Sequence, residues 1–91
     1  MYESRTQRLR DTRLDLERFM VRRREHGYGP PVDVGPQMMR LPDIAEYMGC
    51  SGDTIRSDVR RINGVKLNDR LIYYHVRDVA AWLVQKEVQI K

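Results

Sequence analysis

Five hydrogen-bonding side chains lie within eight positions of one another in the middle of the chain. They are Thr54, Arg56, Ser57, Arg60 and Arg61. An arginine guanidinium is a planar fork of donors that fits guanine O6 and N7 in a major groove, or the oxygens of a phosphate. Serine and threonine hydroxyls bond to the same groups. These residue types indicate DNA contact, and the alternative is an ordinary solvated helix face.

An apolar stripe on the other side of this segment predicts that it is a helix. Ile55, Val59 and Ile62 recur at i, i+4 and i+7, which is the spacing of one buried helix face. Ser51 precedes the stripe as an N-cap residue whose hydroxyl accepts backbone N–H bonds. Asp58 lies among the arginines, and its spacing allows a pair with either of the two that follow it.

A shorter helix and a tight turn precede this segment. Pro42 suits the start of a helix from Pro42 to Met48 because its missing N–H has no helical partner there. Gly49 ends that helix at low conformational cost. Two helices joined by so short a turn form a helix-turn-helix, in which the second helix enters the major groove.

A β-hairpin and a last helix follow. Val65–Leu67 and Leu71–His75 are β-prone runs, and Asn68–Arg70 forms their tip. A hairpin this small needs a helix beneath it, which the run from Val76 to Gln89 supplies, with Trp82 in the core. In a winged helix this hairpin is called the wing. Its polar side chains either reach a minor groove or the DNA backbone, or they form a polar hairpin tip that has no role in binding. They are Lys66, Asn68 and Arg70.

The order of these elements predicts the fold class. We expect a mainly α protein with a winged helix-turn-helix, made of two helices, a two-stranded wing and a closing helix, preceded by a long N-terminal helix. A Gly- and Pro-rich stretch divides the chain. The expected parts are therefore an Arg-rich amphipathic helix over 1–26, a linker over 27–38 and the winged domain over 39–91.

The segment Arg40–Leu83 resembles the excisionase-like and AlpA-like winged-helix regulators of bacteriophages and mobile elements, which are relatives of the MerR DNA-binding domain. The similar runs are RLPDIAEYMGCS, SGDTIRSDV and YYHVRDVAAWL, and TIRSDVRRI is also similar to the recognition helix of DeoR-type repressors. The resemblance covers about half of the chain. It implies a small cytoplasmic protein that binds DNA in transcription, recombination or phage DNA packaging. It also implies that the five residues named at the outset read bases and that Asn68–Arg70 is the wing tip.

The N-terminal segment predicts a helix with two apolar sides. It runs from about Glu3 to Glu25 without Gly or Pro. One stripe holds Leu9, Leu16 and Met20, with Thr12 and Phe19 beside it, while Leu14 and Val21 lie nearly opposite. A helix that is apolar on two sides contacts two partners. We therefore expect it to pack on its own domain and to form a homo-oligomer with neighbouring chains.

Three consecutive arginines end this helix. Arg22, Arg23 and Arg24 are placed to contact phosphates, and cations at a helix C-terminus also complement the helix dipole. Elsewhere the charge is modest: residues 40 to 75 hold six basic and five acidic residues, a net charge of +1. Phosphate neutralisation supplies most non-specific DNA affinity. Useful affinity therefore needs several copies, DNA bending or help from the N-terminal helix.

Composition excludes several classes of site. The formal net charge is +4, the pI is about 9.6, and the single Cys50 fits a reducing compartment. We expect no metal, no cofactor and no enzyme activity, because no Cys/His spacing fits zinc and Asp43 and Glu46 share a helix face without a partner acid or base. No apolar run approaches the roughly 18 residues of a membrane span, and the first residues lack the apolar region of a signal peptide. We expect a cytoplasmic protein, without membrane contact, in a bacterial cell or phage-infected host.

The sequence thus predicts a protein that binds double-stranded DNA in a sequence-specific way, as a transcriptional regulator of a phage or mobile element or as an excisionase-like recombination factor. Its further partners would be a recombinase, a polymerase or a large terminase subunit. One alternative is the DNA-recognition small subunit of a phage packaging terminase. Another is a winged-helix module that binds protein, and a weak dependence on salt would distinguish it from the DNA-binding forms.

Overall fold

The computed structural model describes residues 4–30, 35, 37–66 and 71–90. This part of the chain is mainly helical with a small antiparallel sheet, as the sequence predicts at that level. Its elements in chain order are α1 (Arg5–Glu25), β1 (Met38–Met39), α2 (Leu41–Met48), α3 (Gly52–Val59), β2 (Val65–Lys66), β3 (Ile72–His75) and α4 (Val76–Ile90). Within the described ranges, no helix has the length and apolar character that crossing a bilayer requires.

Local signals fix both ends of α2. The carboxylate of Asp43 in its first turn accepts a hydrogen bond from the Arg40 backbone N–H at 2.8 Å, so it satisfies a donor that the helix leaves unpaired. At the other end, Gly49 adopts a left-handed conformation with φ 71° and ψ 32°. The Cys50 N–H then donates to the Ala45 carbonyl, and the Gly49 N–H to that of Glu46. These two bonds form a Schellman motif, which turns the chain sharply into α3.

Helix α3 is shorter than the predicted segment. Ser51 caps its start, because its hydroxyl accepts a hydrogen bond from the Thr54 N–H at 3.3 Å. The helix ends at Val59, and the N–H groups of Arg61 and Ile62 bond three residues back, to Asp58 and Val59. Arg60 and Arg61 therefore lie on a tight turn after the helix, and not on the helix itself.

The sheet has three strands, not the two expected. Its order is β1-β3-β2, and both neighbouring pairs are antiparallel. Met38 pairs with His75 and Met39 with Tyr74, while Val65 pairs with Tyr73. The last residue of the predicted linker is thus part of a strand. The physical reason is burial, because Met39 is fully buried in the core.

Helix α1 joins the same core as the rest of the chain. Leu16 and Met20 are fully buried, and the helix packs mainly against α4. The largest fully buried apolar residues of the other elements are Met39, Ile44, Val59, Val76 and Val79. The Tyr47 hydroxyl of α2 also donates a 2.5 Å hydrogen bond to Asp15 of α1. Burial and this bond raise the pKa of Tyr47 to about 12. Of the two predicted contacts of α1, the one with its own domain is therefore confirmed.

Trp82 is less central than expected. It is only partly buried, and the Lys86 ammonium lies 5.0 Å from the centre of its ring. It lines a surface groove beside Asp58 and Ile62, at the end of α3. Among residues 76–86 of α4, the buried ones are instead Val76, Val79, Ala80 and Val84. Trp82 therefore covers the end of α3, while smaller side chains fill the centre.

Candidate nucleic-acid interface

The predicted DNA-contacting residues of α3 and its following turn are all exposed. Ile55 and Val59 are buried on the inner side of the helix, which directs the remaining side chains outward. The exposed set is Thr54, Arg56, Ser57, Arg60 and Arg61. The i, i+4, i+7 stripe therefore predicted correctly which face of this segment is buried. It did not predict which of the exposed residues line the same surface groove.

Three arginines converge on one groove. Arg56 and Arg60 line it from α3 and its turn, and Arg40 lines it from the residue before α2. The groove holds about 500 Å³, and its lining includes Val59 and Tyr74. This arrangement places guanidinium donors around an apolar floor. The sequence alone did not identify Arg40 as a candidate, although its position just before α2, in the predicted helix-turn-helix, could have indicated it.

Three residues of this surface also have local structural partners. The Arg40 Nε lies 3.8 Å from the buried carboxylate of Asp43. The Thr54 hydroxyl lies 2.7 Å from that of Ser51, so it supports the cap of α3. Arg56 forms an ion pair with Asp53, one turn earlier, at 3.1 Å, and both side chains are more than half exposed. Such exposed pairs contribute only about 0–1 kcal/mol. Arg56 therefore stays available to a stronger anionic partner.

Arg61 belongs to a different groove. It lines a space of about 400 Å³ with Asp58, Trp82 and Lys86. Asp58 pairs with Lys86 of α4 at 2.7 Å, and not with Arg60 or Arg61 as its helical spacing allowed. The hydrogen bond and the charge of Lys86 lower the pKa of Asp58. Arg61 is thus outside the groove that Arg40, Arg56 and Arg60 line. The negative charge of Asp58 is balanced by Lys86 of α4.

The arginines at the end of α1 have divided roles. The Arg23 Nε donates to the fully buried carboxylate of Asp43 at 2.7 Å. Arg24 donates to the backbone carbonyls of Gly35 and Met38 at 3.2 and 3.0 Å, and burial lowers its pKa. These contacts give two of the three predicted phosphate ligands partners within the protein, and both side chains are partly buried. Arg22 is exposed. The sequence suggested no partner for Asp43. In the structure its carboxylate pairs with Arg23, and not with the neighbouring Arg22.

The β2–β3 hairpin contributes one polar candidate. Lys66 is exposed on β2, opposite Ile72 of β3. Val65 and Leu71 beside it are also exposed, at 55% and 40%. Asn68 and Arg70, which were expected at the tip, lie outside the described residues. The described hairpin is therefore more apolar on its surface than a purely phosphate-binding wing.

The described residues contain no group of three or more His, Cys, Asp or Glu side chains placed to hold a metal ion. In comparisons with known proteins, no family model, no curated protein and no solved structure matches the chain. The geometry of the arginine-lined groove is therefore the main basis for a functional assignment.

Proposed function

We propose that this protein is a sequence-specific DNA-binding protein of the winged helix-turn-helix type. In this proposal α3 enters the major groove, with Arg56 and Ser57 facing base edges. Arg60 and Arg40 hold the phosphates beside them, and Lys66 approaches the backbone from the hairpin. The observation that carries the proposal is the convergence of three arginines from two elements on one groove beside an exposed helix face.

The dimensions of α3 suit this role. With its side chains, an α-helix is about 10–12 Å in diameter, which matches the major groove of B-DNA, about 12 Å wide. The eight residues of α3 give it a length of about 12 Å. The Schellman turn and the Ser51 cap hold both ends of the α2–α3 connection without help from a ligand. A recognition helix held in this way loses little conformational entropy on binding.

The local charge is also more favourable than the sequence count indicates. Two of the five acids between residues 40 and 75 are paired with cations from other elements, Asp43 with Arg23 and Asp58 with Lys86. Asp43 is fully buried as well. The arginines of the groove therefore face less opposing charge than a net +1 implies.

The proposed biological role follows the resemblance of Arg40–Leu83 to excisionase-like and AlpA-like regulators. It is transcriptional regulation of a phage or mobile element, or assistance to a recombinase in excision. A cytoplasmic location belongs to the same proposal. Recognition of packaging DNA as a terminase small subunit would use the same surface, so the identity of the bound sequence would distinguish these roles.

The direct test is to select binding sites for the full-length protein from a random 30-base-pair duplex library. Fluorescence anisotropy titrations would then compare Arg56→Ala and Arg60→Ala with the unchanged protein. Loss of a base-reading or clamping arginine should cost about 1–3 kcal/mol at the selected site, a weakening of roughly 5- to 150-fold. Arg77→Ala is the matched control, because Arg77 is an exposed arginine of α4 outside the groove.

A fall of affinity between 50 and 200 mM salt is expected together with these losses. Recovery of no enriched sequence, or equal behaviour of all three alanine variants, would overturn the proposal. The exposed Val65 and Leu71 favour the protein-binding module as the second candidate. That candidate predicts association with a protein that changes little with salt and is lost in Leu71→Ser.

A further inference from the structure

We propose that the outer face of α1 pairs with the same face of a second copy of this chain, with the two helices antiparallel and Leu14 against the partner subunit's Val21. The inference is independent of DNA binding, because it involves a different surface. The sequence predicts that this helix forms a homo-oligomer. The proposal adds the orientation of the two helices and the charged residues that pair between them.

The two faces of α1 have different surroundings. The inner face is filled, since Leu16 and Met20 are fully buried against the rest of the protein. On the outer face Leu14 and Val21 are 43% and 55% exposed. They lie seven residues apart, which is nearly two helical turns, so they form one short apolar stripe. Every neighbour of this stripe is polar. The described exposed neighbours are Gln7, Arg10, Asp11, Arg18, Arg22 and Glu25.

The charges beside the stripe are self-complementary in only one orientation. In an antiparallel pair centred between residues 17 and 18, Leu14 lies opposite the partner subunit's Val21. Arg10 then lies opposite the partner subunit's Glu25, and this pair occurs twice by symmetry. A parallel pair would instead place Arg10 against the partner subunit's Arg10, which is repulsive. Charge complementarity therefore selects the antiparallel arrangement.

These charges are also available. Among the described residues, neither Arg10 nor Glu25 forms an ion pair, although Arg13 and Glu17 on the flank pair with each other at 3.2 Å. Two apolar side chains from each copy form a small contact compared with the roughly 800 Å² per partner of a stable interface. The dimer is therefore weak in free solution. Neighbouring DNA sites would strengthen it by raising the effective concentration into the millimolar range.

Sedimentation equilibrium of the full chain between 10 µM and 1 mM tests the pairing. Arg10→Glu and Glu25→Arg should each weaken the dimer about tenfold, because each replaces two attractive pairs with two repulsive ones. The double variant Arg10→Glu/Glu25→Arg should restore the affinity to within about threefold. Far-ultraviolet circular dichroism checks that each variant stays folded, which is expected because both residues are exposed. Glu46→Lys is a control for net charge alone, since Glu46 is exposed on α2 and does not belong to the outer face of α1.

Disulfide trapping tests the orientation in a Cys50→Ser background. A mixture of Leu14→Cys and Val21→Cys chains should form the mixed disulfide at least fivefold faster than Leu14→Cys alone forms its own. A chain that stays monomeric at 1 mM would overturn the proposal. So would charge reversals that change the affinity less than twofold, or Leu14→Cys chains that link to each other as fast as the mixture does.

Discussion

The arginines at the end of α1 and those around α3 share the same side chain but have opposite surroundings. Arg23 and Arg24 turn into the protein, one to a buried carboxylate and the other to two backbone carbonyls. Arg56 and Arg60 remain exposed beside an apolar groove. The sequence around both groups is rich in arginine, and composition does not separate them.

The difference shows that the position of acceptors decides the role of an arginine. A buried carboxylate requires a cation, because an unpaired charge inside a protein is very costly. Asp43 meets this need with Arg23, which lies twenty residues earlier in the chain. The groove beside α3 contains no acid in its lining. Among the described residues, Arg56 pairs only with the exposed Asp53, and Arg40 lies 3.8 Å from Asp43. An anion from outside, such as a phosphate, can therefore compete for the exposed guanidinium of Arg56.

The largest effect is expected for Arg23→Ala, which tests whether Arg23 is a structural residue. Removing one partner of a buried ion pair costs about 3–5 kcal/mol. Arg40, whose Nε lies 3.8 Å from the Asp43 carboxylate, remains beside it, so the expected loss lies at the lower end of that range. We expect urea denaturation to show a loss of that size. Arg22→Ala, an exposed neighbour, should change the unfolding free energy by less than about 0.5 kcal/mol. Equal effects of the two variants would show that Arg23 is not a structural residue.

Arg24→Met tests the hydrogen bonds of Arg24, because methionine keeps an apolar side chain at this position and removes the donors. Hydrogen bonds from a charged group contribute about 1.5–3 kcal/mol, so a loss within that range is expected. The damage should be local, because the two carbonyls belong to the segment that leads into β1. Hydrogen exchange should show faster exchange at Met39 than at residues of α4. Uniform acceleration across the chain would contradict this local role.

A smaller effect on stability is expected at His75, where partial burial and nearby cations act on the imidazole. Its Nδ1 accepts a hydrogen bond from the Arg77 N–H at 3.0 Å and so caps α4. Burial, and then the charges of Arg77 and Arg13, lower the pKa of His75 from 6.5. The folded state therefore favours the neutral imidazole, so this contribution to stability is complete above pH 6.5 and is lost as the pH falls below it.

We expect thermal unfolding to show a loss of about 1 kcal/mol, typical of an N-cap, as the pH falls from 7 towards 5. His75→Asn should keep a cap and reduce the pH dependence in this range. His26→Asn is the matched control, since His26 is exposed at the end of α1. An unchanged pH profile in His75→Asn would mean that another group titrates.

The smallest expected effect concerns the outward arginines. Asp53→Asn removes the exposed partner of Arg56 and one negative charge from the proposed DNA-binding surface. Because exposed pairs contribute about 0.2–1 kcal/mol, DNA affinity should rise by about 1.4- to 5-fold in anisotropy titrations at the selected site. Asp11→Asn on α1 should leave the affinity unchanged. A decrease with Asp53→Asn would show that the ion pair holds Arg56 in its binding position.

Sequence signals predicted the bounds of α2 and the start of α3 well because those signals are local. Pro42, Gly49 and Ser51 act within one turn of the backbone, and the observed ends of α2 and the start of α3 agree with them to within one residue. The exposed face of α3 followed from the apolar spacing. Strand β1 was missed because two methionines after a Gly- and Pro-rich stretch carry no periodicity, and their pairing with β3 joins residues far apart in sequence.

The amino-acid sequence by itself determined the presence of the helices, the caps of α2 and α3 and the buried side of α3, because these depend on neighbours within a few residues. Only the tertiary structure decided which arginines are internal and which are exposed. It brought Arg23 to Asp43 and Lys86 to Asp58 across twenty and twenty-eight positions, and it placed Arg40 beside Arg56 and Arg60. The physical reason is that the partner of a charge is the nearest opposite charge in space, and spacing along the chain does not fix that distance.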